Sequence, residues 1–184
     1  VWMIENERQS EAVKAVTALA RFFRISLSKG KSIIPVRDEL EHVRNYLMIQ
    51  HMRYKNKFTY DIEADEDVLE LASLKLMLQP LVENAINYAL EEIIGTFRIQ
   101  ITGKRENGMV ILTVSNNGSQ FPDNVLENLE TNQISPHGFG IGLLNINKRI
   151  KLQFGEAYGL HIYNVESEDL AVVQIRLPED QKDV

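Results

Sequence analysis

The sequence contains no cysteine, which removes a disulfide framework, a thiolate zinc site and a thiol nucleophile together. Its four histidines, at positions 42, 51, 137 and 161, are too dispersed to suggest a metal cluster. No apolar run approaches the roughly 20 residues that a bilayer-spanning helix needs, and no signal-peptide pattern is present. Positive charge is short as well, since 20 Lys and Arg scattered among 26 acids leave a formal charge of -6 and a pI near 5.3. A nucleic-acid surface needs a basic face to neutralise phosphates, so no nucleic-acid partner is expected. There is no internal repeat and no low-complexity tract. What remains is 184 residues, 44% of them apolar, enough for one ordinary domain with an appendage and a real core. The first residue is Val1 rather than methionine, and the chain is read as a fragment whose upstream portion is missing.

Two segments of different pattern succeed one another. From Glu7 to Leu27 the apolar positions Val13, Val16, Leu19, Ala20, Phe23 and Leu27 recur every three or four residues, a helical period, with Gly30 placed to end it. Val36, Leu40, Val43, Leu47 and Tyr54 repeat the spacing after Pro35, with polar Gln50 interrupting the seam. Joined by Ser28 to Ile34, the two helices make an antiparallel hairpin or a dimer interface, or else a helical lid on the downstream domain. His42 and His51 are expected at the surface of the second helix. The pattern changes after Lys57, which divides the chain into a helical hairpin over 1–56 and a second domain over 57–184.

In that second domain Phe58 to Ile62 alternates as a strand, Glu63 to Asp67 is an acidic turn, and a helix is expected over about Ser73 to Leu90. Strands Phe97 to Ile101 and Val110 to Val114 flank Asn107-Gly108, a dipeptide that favours a tight hairpin. Pro122 starts a short helix, Thr131 to His137 is a polar loop, and a helix runs from about Gly142 to Gln153. Strands Leu160 to Tyr163 and Ala171 to Leu177 finish the chain. Strands and helices that do not alternate strictly predict an α+β fold, a two-layer sandwich of a mixed, mostly antiparallel sheet covered by helices.

The stretch Leu78 to Tyr88, L-Q-P-L-V-E-N-A-I-N-Y, sets two stripes on one helix. Leu74, Leu78, Leu81, Ala85 and Ala89 form a face to bury, and Asn84, Asn87, Tyr88 and Glu91 form a polar face beside it. Alone, the polar stripe reads equally as a solvated surface. Downstream, however, Ser115-Asn116-Asn117-Gly118 ends an apolar run, and Gly138-Phe139-Gly140-Ile141-Gly142-Leu143 opens a helical pattern. In that order the three motifs resemble the N, G1 and G2 boxes of the GHKL ATP-binding fold, and L-Q-P-L-V-E-N-A is similar to sensor histidine kinases of the LytS/YesM type. The resemblance covers nearly the whole chain, Val36 to Tyr54 included.

The resemblance implies ATP and magnesium as cofactors. Magnesium keeps several waters and can be tethered by one side-chain oxygen, and in the resembled family the asparagine of E-N-A, here Asn84, is that ligand. Glu83 lies about 100 degrees round the helix from Asn84, so it is read as a supporting residue or as a weak candidate for polarising a water. Asn87 stands where the family pattern more often has lysine. Tyr88, one turn past Asn84, lies along the nucleotide or simply packs. Adenine recognition in the family uses the aspartate of D-x-G-x-G, and here Asn116, Asn117, Gly118, Ser119 and Gln120 replace both that acid and the second glycine. A neutral acceptor at Asn116 costs on the order of 1 kcal/mol, about fivefold in affinity; taken by composition, Asn117-Gly118 is equally a plain turn.

Glycines at 138, 140 and 142 would let the backbone turn sharply and approach phosphate, with the next helix offering free N–H groups, and Ile141 and Leu143 are counted with them as nucleotide-binding residues. The loop superficially resembles a dinucleotide fingerprint, but its spacing is G-x-G-x-G and no apolar strand precedes it. By resemblance 131–137 is the ATP lid and Lys148 or Arg149 reaches phosphate; equally, both lie on a solvated face. The family's late glycine-threonine box is replaced by Glu168-Asp169-Leu170-Ala171. Its phosphoacceptor motif, N-P-H-F-L-x-N, is absent, and by resemblance it lies just before Val1.

The implied function is the catalytic, ATP-binding portion of a two-component sensor histidine kinase. It would pass the γ-phosphoryl to an upstream histidine and then to a response regulator, as a homodimer in the intact protein. Such a segment is the cytoplasmic part of a membrane-anchored bacterial sensor, touching the membrane only through parts outside this stretch. The altered Asn116, Asn87 and late box keep open a degenerate module that signals by conformation and partner binding without phosphoryl transfer.

Overall fold

The computed structural model describes residues 9–27, 32–55, 57–92, 95–118, 120–131 and 139–179. Helix α1 (Gln9–Ser26) has Glu11 in its first turn and Arg24 in its last, charges that suit the two ends of a helix dipole. It lies against α2 (Val36–Arg53). The contact does not use the periodic row, since Val13, Val16, Leu19, Phe23 and Leu27 remain 44% to 71% exposed. Instead Ala18 is buried and Phe22 stacks on His42, ring centroids 4.4 Å apart and planes at 17°.

His42 therefore departs from expectation, being wholly buried rather than on the helix surface. The reason is tertiary. Helix α2 is sandwiched between α1 and the helix of the L-Q-P-L-V-E-N-A motif and has to bury two faces. Val36, Leu40, Val43 and Leu47 face the core, while His42 looks toward α1. His51 is half-buried, edge-on to Phe58 at 5.5 Å.

Two short strands were not legible in the sequence. Strand β1 (Ile33–Pro35) pairs antiparallel with β3 (Ala72–Leu74), so the end of the expected connector, from Ile33, and the expected first turn of the motif helix are both extended. Helix α3 accordingly spans Leu78–Glu92 rather than starting at Ser73. Leu76 is the break, because its φ of 61° is a left-handed conformation that a helix cannot incorporate and that is uncommon for a bulky residue. The carboxylate of Glu39 on α2 holds this segment, accepting the N–H groups of Leu76 (2.9 Å), Met77 (2.6 Å) and Leu78 (2.8 Å). It satisfies donors that a helix start leaves without intrahelical partners.

The main sheet has the order β2-β4-β5-β7-β6, with β2 (Phe58–Ala64), β4 (Phe97–Glu106), β5 (Met109–Asn117), β6 (Gly159–Val165) and β7 (Leu170–Pro178). Strands β2 and β4 run parallel, and the other three pairs are antiparallel. This is the predicted mixed, mostly antiparallel sheet. The β4–β5 hairpin turns at Asn107 and Gly108, both at positive φ (53° and 74°), as a tight Asn-Gly turn demands. Alternate residues, Ile99 and Ile101 of β4, Val110, Leu112 and Val114 of β5, and Val173, Ile175 and Leu177 of β7, point into one core. Helices α2, α3 and α5 (Phe139–Phe154) contribute to the same core, so it runs unbroken from α2 into the sheet. Short α4 (Val125–Glu130) begins after Asn124, whose left-handed φ of 51° excludes a start at Pro122.

Candidate nucleotide-binding site

A partly enclosed cleft lies between α3, the first turns of α5 and strands β5 and β7. Its floor is apolar, made by Leu81, Ala85, Val114, Leu143 and Val173, and its rim is Asn84, Tyr88, Asn116 and Gln120. Concave apolar walls with a few placed polar groups are what a small planar ligand requires. The stripe of α3 that the sequence marked as buried is buried, with Leu78, Leu81, Ala85 and Ala89 at 6% exposure or less. That packing turns the next face, carrying Asn84 and Tyr88, into the cleft.

Asn84 has a buried amide nitrogen with no hydrogen-bond partner among the described residues. An orphaned buried amide costs free energy unless something completes it. Rotation of the amide exchanges its oxygen and nitrogen, so the same position can present a donor to phosphate or an oxygen to a cation. This fits a magnesium-type tether. Among the described residues no group of three or more His, Cys, Asp or Glu could hold a metal, so any metal here would rely on amide, water and phosphate oxygens.

Asn116 is 5% exposed at the end of β5 and reaches the cleft; its Nδ2 donates to the Asn117 carbonyl at 3.3 Å. Asn117 has a separate task, its Oδ1 accepting the Arg98 N–H at 2.6 Å. Gly118 then turns the chain at φ 94°, a conformation that suits glycine. The two readings of this motif thus divide between neighbours, with Asn116 at the cleft and Asn117-Gly118 making the turn.

Other expected site residues fall elsewhere. Asn87 is exposed and does not line the cleft. Glu83 does not line the cleft; it accepts a hydrogen bond from Gln79 Nε2, one turn earlier on the same helix, at 2.6 Å. Gly140 and Gly142 lie within α5 and neither has positive φ, so the sharp turn expected at these two glycines is instead regular helix. The helix starts three residues before the expected Gly142. Leu143 is fully buried in the cleft, whereas Ile141 is 50% exposed. Gly138 and residues 132–137 of the expected lid lie outside the described residues, and Thr131 is exposed. Lys148 and Arg149 are exposed and line no part of the cleft; Arg149 donates to the Lys75 carbonyl at 2.8 Å.

Sequence reasoning missed Gln120, Phe121, Pro122 and Ala171 as lining residues. Asn164 clamps the loop by accepting the Phe121 N–H at 2.9 Å and donating to the Phe121 carbonyl at 2.8 Å. The altered late box is adjacent, since the Gly118 N–H points to the Asp169 carbonyl at 3.4 Å and Ala171 lines the wall. Gln120 at the position of the family's second glycine was the available signal.

Two family models match the chain, a histidine kinase model over residues 1–58 and a histidine kinase-, DNA gyrase B- and HSP90-like ATPase model over residues 70–181. The chain belongs to this ATPase family. A domain of this family binds ATP. Among curated relatives, sensor histidine kinase YesM of Bacillus subtilis is 36% identical over 172 residues, covering 94% of this chain and 29% of YesM. Sensor protein LytS of Oceanobacillus iheyensis is 34% identical over 185 residues, covering 96% of this chain and 31% of LytS. The chain therefore spans less than a third of these relatives. The catalytic domain of histidine kinase ThkA superposes with a TM-score of 0.61 at 22% identity, over 80% of this chain and 94% of that one, which establishes the GHKL fold. No helix among the described residues is long and apolar enough to cross a membrane.

Proposed function

We propose that this chain is the catalytic, ATP-binding portion of a two-component sensor histidine kinase. The carrying observation is one cleft that unites Asn84, Asn116 and Leu143, residues from three motifs far apart in sequence. In this reading adenine slides between the apolar floor and Tyr88, and the Asn116 carbonyl accepts its exocyclic amine. Asn84 would hold, through its side-chain oxygen, the magnesium that accompanies the triphosphate, and its unpartnered amide nitrogen would be free to donate to a phosphate oxygen. When bound there, magnesium would supply positive charge against that developing on the transferred phosphoryl group. The protein's own contribution is positioning, which makes transfer between two held groups effectively unimolecular. Lys148 and Arg149 are assigned to phosphate contact from the exposed face of α5.

The acceptor is a histidine outside this stretch. His42 is buried and engaged, and none of the four histidines sits in the phosphoacceptor motif. The segment alone does not autophosphorylate. From the histidine the phosphoryl group passes to a response regulator. Functionally, 1–56 is a partial dimerisation and histidine-phosphotransfer region and 57–184 the catalytic domain. The apolar row of α1 left exposed is assigned to a second copy of the chain, and the intact sensor is anchored in the membrane by other segments, with this portion cytoplasmic.

The test is calorimetric titration with ATP, with and without magnesium, beside GTP, then phosphorylation in trans of an upstream fragment that bears the histidine. Magnesium-dependent binding selective for ATP, with phosphohistidine formed, is expected. Binding without phosphohistidine would instead establish the degenerate signalling module.

A further inference from the structure

We propose that His42 and Gln79 are positioning residues for the Glu83-Asn84 turn of α3, fixing the aim of Asn84 through a hydrogen-bond relay anchored on the helical hairpin. This rests on the reading of Asn84 as the residue that tethers the metal of the nucleotide.

The relay has one possible direction. An ionised Glu83 carboxylate can only accept, so the Gln79 atom 2.6 Å away must be its NH2 group. That leaves Gln79 Oε1 toward His42, 2.8 Å from Nε2, and His42 must donate from Nε2. The tautomer is then fixed, and Nδ1 is left as a bare acceptor; it is buried with no partner among the described residues. The ring cannot swivel to use Nδ1 instead, because it is wholly buried and stacked flat on Phe22 of α1 at 4.4 Å. Every link is thus set by the one before it: Phe22 sets the imidazole, the imidazole sets the Gln79 amide, and the amide sets the Glu83 carboxylate.

Glu83 also has a neighbour on α2. Tyr46, one turn after His42, has its phenol raised well above the ordinary range, first by burial and then by the Glu83 charge. Glu83 thus lies close to α2 and is not among the residues that line the cleft beside its neighbour Asn84. Asn84 needs this help, since nothing described within the protein holds its own buried amide nitrogen. Its aim is inherited from the helical turn beneath it. Partners that orient a metal ligand from outside are worth about 10–100-fold in metal affinity, and a relay acting one residue away belongs at the low end.

The experiment is titration of the whole chain with ATP, with and without magnesium, for His42→Leu, His42→Gln and Asn84→Ala. Leucine removes the donor, while glutamine places an NH2 group near the position of Nε2. In His42→Leu, affinity for ATP with magnesium is expected to fall about tenfold, with affinity for ATP alone within about twofold. His42→Gln should recover most of the loss. Independently of nucleotide, the Gln79 side-chain amide protons, tracked by nuclear magnetic resonance, should lose their protection from exchange in His42→Leu and keep it in His42→Gln. Equal losses with and without magnesium, no loss, or no rescue by glutamine would overturn the proposal. Asn84→Ala separates the two claims. If it abolishes magnesium dependence while His42→Leu does not, only the relay fails; if magnesium dependence survives Asn84→Ala, the site reading itself fails.

Discussion

Replacing Glu39 with alanine tests whether the motif helix is held from outside. The residue is fully buried, and its two carboxylate oxygens accept three consecutive backbone N–H groups at 2.9, 2.6 and 2.8 Å. Each bond to a charged acceptor is worth roughly 1.5–3 kcal/mol net, and a donor left buried without a partner costs about 1–3 kcal/mol. The three share one side chain and do not add. Water can also enter the space vacated beside Leu76, which is only half-buried. A loss of about 3–5 kcal/mol is expected, similar to breaking a buried ion pair. For a chain of this size that lowers Tm by roughly 10 °C. Urea denaturation monitored by circular dichroism measures it, with the m-value checked to be unchanged. The first turn of α3 should fray before the rest, so amide exchange at Leu76, Met77 and Leu78 should accelerate most. A loss under about 1 kcal/mol, or protection retained at these three amides, would refute the claim that Glu39 sets the start of the helix.

The same residue predicts a pH dependence. Burial is the largest influence on the Glu39 carboxyl and raises it above the ordinary carboxylate range, against the lowering by the three N–H donors. The folded state then binds the proton to higher pH than the unfolded chain, so stability falls as pH rises through the window above the unfolded value. Glu39→Gln should remove that slope, as urea midpoints between mildly acidic and neutral pH will report. Asn116→Asp restores an ionised acceptor at the cleft rim and should tighten ATP about fivefold while leaving GTP unimproved, measured by calorimetry. Gly118→Ala forces an L side chain to φ 94° and should cost roughly 1–3 kcal/mol, seen as a lower urea midpoint with the end of β5 the first to lose amide protection.

Much of the fold was legible because its signals are local. The period of Val36, Leu40, Val43 and Leu47, the alternation along β4 and β5, and the Asn107-Gly108 turn each act within a few residues. The stripe Leu78, Leu81, Ala85 and Ala89 announced which face of α3 is buried, and with it that Asn84 and Tyr88 sit beside the core. Where the reading failed, a distant partner had intervened. The start of α3 moved from Ser73 to Leu78 because β1 captured Ala72–Leu74 as a strand. His42 left the surface because α1 and α3 close on both sides of α2. Asn87 shares the polar stripe with Asn84 and Tyr88, yet it is exposed and does not line the cleft.

By itself the sequence determined the class of fold, the order of the three motifs and the chemistry they can offer, since periodicity and turn propensity are properties of neighbouring residues. Only the tertiary structure decided which of those residues meet. Glu39 caps a helix 38 residues away, Asn164 clamps a loop 43 residues before it, and Ala171 closes a wall begun by Leu81. Such contacts depend on how helices and strands pack into one core, and no local pattern encodes the partner that will arrive.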